Sequence, residues 1–160
     1  MVIDMPVDDT LNVPCRSLKE VAWREANDWR WILSEQQKRD VGESAIRMWV
    51  HQHWPGFLRA RWIDHMLGVE LWTELDRNEF GILRKTPPSL RPLLDELIGQ
   101  LICGAENLNI ICWSRRKSSS EQSTIRELLH LINVNGHRLR CHFADEPPCF
   151  TAKAPAVLLV

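Results

Sequence analysis

The residues best suited to chemistry are the run Ser114-Arg115-Arg116-Lys117-Ser118-Ser119-Ser120. The stretch before it, Leu108 to Trp113, is short, apolar and rich in Ile, and it reads as a buried strand. Residues from about Ser120 to Asn133 place Ile125, Leu128, Leu129 and Ile132 at helical spacing. The basic run would therefore leave the carboxyl end of a strand and enter a helix. Open α/β sheets bind ligands at that edge, and the free N–H groups of a helix N-terminus attract anions. Ser114, Arg115, Arg116, Lys117, Ser119 and Ser120 are accordingly expected to hold a phosphate-bearing partner, either a nucleotide or a nucleic-acid backbone. The plainer alternative is a solvated basic loop whose serines cap the helix. No glycine lies between Ser114 and Ser120, so neither a Walker loop nor a dinucleotide fingerprint is present.

A second cluster comprises Arg47, His51, His53, Trp54, Arg59, Arg61, Trp62 and His65. Within it, Arg59, Arg61 and His65 could position a phosphate while the imidazole moves protons. The competing explanation is an amphipathic helix with His65 at its rim. Metal ligation has weaker support, because His51 and His53 diverge on a helix. His137 and Cys141 stand too far apart on a strand face to chelate one ion directly. Asp76 to Gly81 begins like a calcium loop, but Phe80 replaces an oxygen ligand and Pro87 sits at the bidentate Glu position. Glu70, Glu74, Asp76 and Glu79 could hold Mg²⁺ as paired acids, or simply form a solvated edge. Cys112, in the expected buried strand, would be a poor nucleophile. No metal or cofactor is expected.

These groups sit in a chain of 160 residues, the size of one ordinary domain, with 44% apolar content. Charge is balanced, with 20 basic and 21 acidic residues, so no overall field marks a nucleic-acid or membrane protein. Seven of the eight tryptophans, residues 23, 29, 31, 49, 54, 62 and 72, lie in the first half. They form either a core or the lining of a groove. The five cysteines make no CxxC pair, which argues against a disulfide framework and for a reducing compartment. The acidic start lacks the apolar core of a secretory signal, and no apolar run is long enough to span a bilayer. The expected location is cytoplasmic.

Residues 1–14 read as an irregular arm. Ser17 and Glu20 make a capping box for a first helix carrying Ala22, Ala26, Trp29 and Leu33. Ser34 and Gln37 signal a second helix, with Val41, Ala45, Met48 and Trp49, ending before Pro55. Pro55 would open a third helix through Leu58, Trp62 and Met66, closed by Gly68. Residues 69–83 are read as a further helix ending near Asp76, then a turn. Thr86-Pro87-Pro88 would hinge the two halves, and Ser89 would cap a helix with Leu90, Leu93, Leu94, Leu97 and Leu101 inward. With residues 137–143 as a second strand, the C-terminal half becomes a β-loop-α-β unit, which residues 156–160 would extend by a strand.

The expected architecture is thus a single α+β domain over residues 15–160. A helical part, 15–86, packs on a small β-α-β part, 89–160. The expected function is a non-catalytic binding or regulatory module, with a Trp-rich surface for a protein partner and the basic loop for an anionic one. The alternative is a phosphate-handling enzyme, such as a nuclease or nucleotide hydrolase.

Overall fold

The computed structural model describes residues 13–133, 136, 139–141 and 143. Among the described residues there are five α-helices: α1 (Leu18–Gln37), α2 (Glu43–Met66), α3 (Arg91–Ile102), α4 (Asn107–Ser114) and α5 (Ser119–Ile132). Two short strands, β1 (Cys15–Arg16) and β2 (Leu71–Trp72), pair in parallel, Cys15 opposite Leu71 and Arg16 opposite Trp72. The protein is therefore mixed but strongly helix-rich.

Helix α1 begins where its capping signal stands, with the Ser17 hydroxyl accepting from the Glu20 N–H. A second acceptor reinforces that end. Glu74, just beyond β2, accepts from the Ser17 hydroxyl at 2.6 Å and from the backbone N–H groups of Leu18 and Lys19 at 2.8 and 3.2 Å. An intrachain carboxylate thus sits where the helix dipole and the unpaired N–H groups favour negative charge. Burial alone would raise this carboxyl. The hydrogen bonds from Ser17, Leu18, Lys19 and Thr73 outweigh burial and hold the group below its ordinary value of 4.5.

Ser34 and Gln37 do not open a helix, as their spacing predicts, because they fall in the last turn of α1. Lys38 closes that turn in the left-handed region, at φ 56°, and the Ser34 hydroxyl accepts from the Val41 N–H instead. Pro55 does not separate two helices either, since α2 runs through it without a break. Proline removes one backbone donor and crowds the preceding turn. Here it is exposed, while Trp54, Phe57 and Leu58 bury on both sides of it, so packing holds the helix together.

Helix α2 belongs to both apolar clusters. Its first part, with Ile46, Trp49, Trp54, Phe57 and Leu58, packs on Leu18, Ala22 and Ala26 of α1 and on Trp72 and Leu75. Its last turns send Ile63 and Met66 into a cluster with Leu83 and the inner faces of α3, α4 and α5. Residues 139, 141 and 143 close the first cluster from a distant part of the sequence. Cys141 and Phe143 are buried, Phe143 meets Trp23 edge-on at 5.3 Å, and the Trp54 indole N–H donates to the Leu139 carbonyl at 2.8 Å.

Three expectations for the backbone are corrected. Residues 108–113 are not extended; they form most of helix α4. Glu106 and Asn109 make a reciprocal capping box there, satisfying two N-terminal donors, and Ile110 buries while Leu108 points to solvent. The β-α-β unit therefore lacks its first strand. Its second, over residues 137–143, lies partly outside the described residues, and residues 139–141 have no ladder partner. Residues 69–85 contain β2 and two 3₁₀ turns, Arg77–Glu79 and Ile82–Lys85, rather than a helix to Asp76. Finally, α3 is preceded by a 3₁₀ turn at Pro88–Leu90, and Leu90 rather than Ser89 occupies its N-cap. The arm over residues 1–12 and the expected strand over 156–160 lie outside the described residues.

Candidate functional site

Between α1 and α2 lies an open groove of about 490 Å³. Helix α1 contributes Glu25, Asp28, Trp29 and Ile32, and α2 contributes Trp49, Gln52, His53, Gly56, Phe57 and Arg61. Both sets step through the sequence at i, i+3, i+4 and i+7, so each is one stripe of a helix. The two stripes face each other across the groove.

The groove is aromatic at its base and charged along its edge. Trp49 is buried and meets Phe57 edge-on at 5.6 Å, and His53 meets the Trp29 ring edge-on at 4.8 Å. The Arg61 guanidinium lies over the Phe57 ring at 4.3 Å and donates to the Glu25 carboxylate at 2.8 Å. One cation is therefore already held by a ring and an acid together. Asp28 has no ion-pair partner among the described residues.

Gly56 sits inside α2, where glycine costs about 1 kcal/mol relative to alanine. A Cβ at this position would meet nothing within 4 Å, so neither packing nor backbone conformation requires glycine there. Its effect is to leave the groove wall bare. The Trp29 indole N–H is shut off from solvent without an acceptor, but Trp72 in the core shares that condition, so the orphaned donor does not by itself mark the groove.

The structure disperses Arg59, Arg61 and His65. Arg59 donates to the carbonyls of Leu101 and Ala105, just where α3 ends. Arg61 turns to the groove and Glu25. His65 is fully buried, with Nδ1 accepting from the Trp72 N–H at 3.3 Å and Nε2 donating to the Asp76 carbonyl at 2.7 Å. Both ring nitrogens are thereby engaged by the backbone of the β2 segment, in the neutral tautomer that this pairing requires. Asp64, one residue earlier, has its carboxyl raised by burial and by the nearby charge of Glu70, against the opposing pull of Arg61. It does not line the groove.

The basic run occupies a turn between two helices, α4 and α5, so the carboxyl edge of a strand that would define an anion site is absent there. Ser114 is buried and its hydroxyl donates to the Ile111 carbonyl at 2.7 Å. Lys117 binds Glu96 at 2.8 Å and lies 5.2 Å from the Trp113 ring centre, and the Glu96 carboxylate holds its ammonium above the ordinary range. Ser118 and Glu121 cap α5 reciprocally; the backbone N–H and hydroxyl of Ser118 keep the Glu121 carboxyl below its usual value. Ser119 and Ser120 are exposed in the first turn. Arg115 and Arg116 are exposed and form no ion pair among the described residues.

Burial pushes the Cys141 thiol up to about 11, despite a hydrogen bond from the Phe143 N–H, and this keeps it protonated and unreactive at neutral pH. Among the described residues, no group of three His, Cys, Asp or Glu side chains could hold a metal ion, and no helix is long and apolar enough to cross a membrane. No known family model, curated protein or solved structure matches the chain. Its function must be argued from its own residues.

The sequence alone groups Trp29 with Trp49 in one tryptophan set and His53 with Arg61 in one polar cluster, but it joins neither set to the other nor to Glu25, Asp28, Ile32, Gln52, Gly56 and Phe57. The available signal was the helical spacing of polar and aromatic residues mixed on one stripe. A buried face would carry apolar residues alone.

Proposed function

We propose that the protein is a non-catalytic binding or regulatory module whose contact surface for a protein partner is the groove between α1 and α2. One observation carries the reading: a concave surface floored by Trp49 and Phe57 and bordered by Gly56 is filled by no side chain of the described residues. Aromatic rings in a partly desolvated hollow, rimmed by polar groups, are the usual anchors of protein interfaces. Arg115 and Arg116 serve an anionic part of the partner, phosphate-bearing in this reading, beside the N-terminus of α5.

The non-catalytic side is supported by where the candidate acid–base groups are spent. His65 has both ring nitrogens engaged by backbone, Arg59 is tied to carbonyls and Arg61 to Glu25, so these three do not combine as an acid–base group beside an anion-binding one. The test is position-resolved cross-linking in the native cell, with a photoreactive residue at Gln52 in the groove or at Arg126 on the exposed side of α5. A discrete adduct from Gln52, absent from Arg126 and lost when Gly56→Leu fills the groove, is the expected result. Equal adducts from both positions, or adducts indifferent to Gly56→Leu, would contradict the proposal.

A further inference from the structure

We infer that the groove recognises a basic side chain, and that its occupant is a peptide segment presenting an arginine or lysine to Asp28 and the Trp29 ring. This rests on the docking-groove reading and adds the chemistry of the partner. The argument begins with the guanidinium already present. Arg61 lies over Phe57 and pairs with Glu25, so one ring-and-acid set on the groove wall is matched and its charges cancel.

Asp28 and Trp29 stand one turn further along α1 on the same lining, where Asp28 is exposed and Trp29 meets His53 edge-on. Among the described residues no Lys, Arg or His pairs with Asp28. With Glu25 neutralised by Arg61, the remaining carboxylate charge of the lining belongs to Asp28, so the hollow has an unmatched acid beside an indole. The neighbouring ring is His53, against Trp29. A carboxylate on the lining of an aromatic-floored groove suits a cation on an apolar stem, since the stem can lie along the rings while the charge reaches the acid. An acidic segment would meet Asp28 unfavourably, and a purely apolar one would leave it facing an unpaired surface.

The test titrates the full chain, labelled at its indole nitrogens, with three short synthetic peptides: acetyl-Gly-Leu-Arg-Leu-Gly-amide and its analogues with citrulline or glutamate for arginine. The arginine peptide is expected to shift the Trp29 and Trp49 indole signals. Its binding should weaken by about tenfold with citrulline, and similarly in Asp28→Asn, from the combined loss of a partly exposed ion pair and a cation–ring contact. Added salt should weaken it as well. Asp28→Asn removes no hydrogen bond of the fold among the described residues, so an unchanged unfolding midpoint checks that the variant is intact. Binding of the citrulline or glutamate peptide as tightly as the arginine peptide, still blocked by Gly56→Leu, would overturn the cation inference while leaving the docking groove standing. No indole shift with any of the three peptides would also overturn it.

Discussion

The α1–α2 groove and the α4–α5 turn both gather polar side chains beside a tryptophan, and they dispose of them differently. At the turn, Lys117 is paired with Glu96 over Trp113, Ser114 bonds to its own helix, and Ser118 and Glu121 cap each other. At the groove, Asp28, Gln52 and His53 line a hollow that no side chain of the described residues fills. Polar groups that satisfy one another make helix ends and turns. Polar groups beside rings in an unfilled hollow are the ones with capacity left for a partner.

The comparison breaks most visibly if the groove floor is not structural. Trp49→Ala removes a buried ring from the cluster shared by both helices, and a loss of about 3–5 kcal/mol in urea unfolding is expected. Next in size is Glu74→Gln, expected to cost about 1.5 kcal/mol because charged acceptors at a helix N-terminus are the stronger ones. The folded-state value of Glu74 is the lower one. Its stabilisation is therefore present above the unfolded value near 4.5 and is lost as pH falls below it. The wild type should lose stability in that window, and Glu74→Gln should show a flatter profile in an acid titration of its unfolding midpoint.

Gly56→Ala sharpens the contrast from the other direction. If the glycine is kept only for space, the substitution should stabilise the fold by about 0.5–1 kcal/mol in thermal unfolding. A loss of stability would mean that the position carries a backbone requirement. The smallest expected effect is at the turn, where joint replacement of Arg115 and Arg116 by Ala should change stability by no more than about 0.5 kcal/mol. The same variant should weaken a salt-sensitive association with an anionic partner if the turn contributes to binding.

These predictions depend on features the sequence showed unevenly. Helix α5 was legible from its apolar period, and Ile125, Leu128, Leu129 and Ile132 are indeed buried. The inward set Leu93, Leu94, Leu97 and Leu101 of α3 was legible from its period too, although its start was not, since Leu90 rather than Ser89 is the N-cap. Helix α4 was not, since residues 108–113, five of them apolar, show no clear period and β-branched isoleucines favour a strand. Its start signal was also inverted, with glutamate at the N-cap and asparagine three residues on. At Pro55 tertiary packing overrode a local stop signal. At residues 139–141 no strand ladder forms, although Cys141 and Phe143 are both buried. The groove itself arises only when two stripes from separate helices are set face to face, and no single stripe specifies that pairing.

Each of the two regions has its own tryptophan, and this makes one measurement decisive. Indole N–H spectra of the protein, recorded while the partner captured through Gln52 is added, report on Trp29 and Trp49 at the groove and on Trp113 beside Lys117. Shifts at Trp29 and Trp49 that precede or exceed any at Trp113, and that vanish in Gly56→Leu, are the predicted result. A shift confined to Trp113, with the groove signals unmoved, would contradict the account.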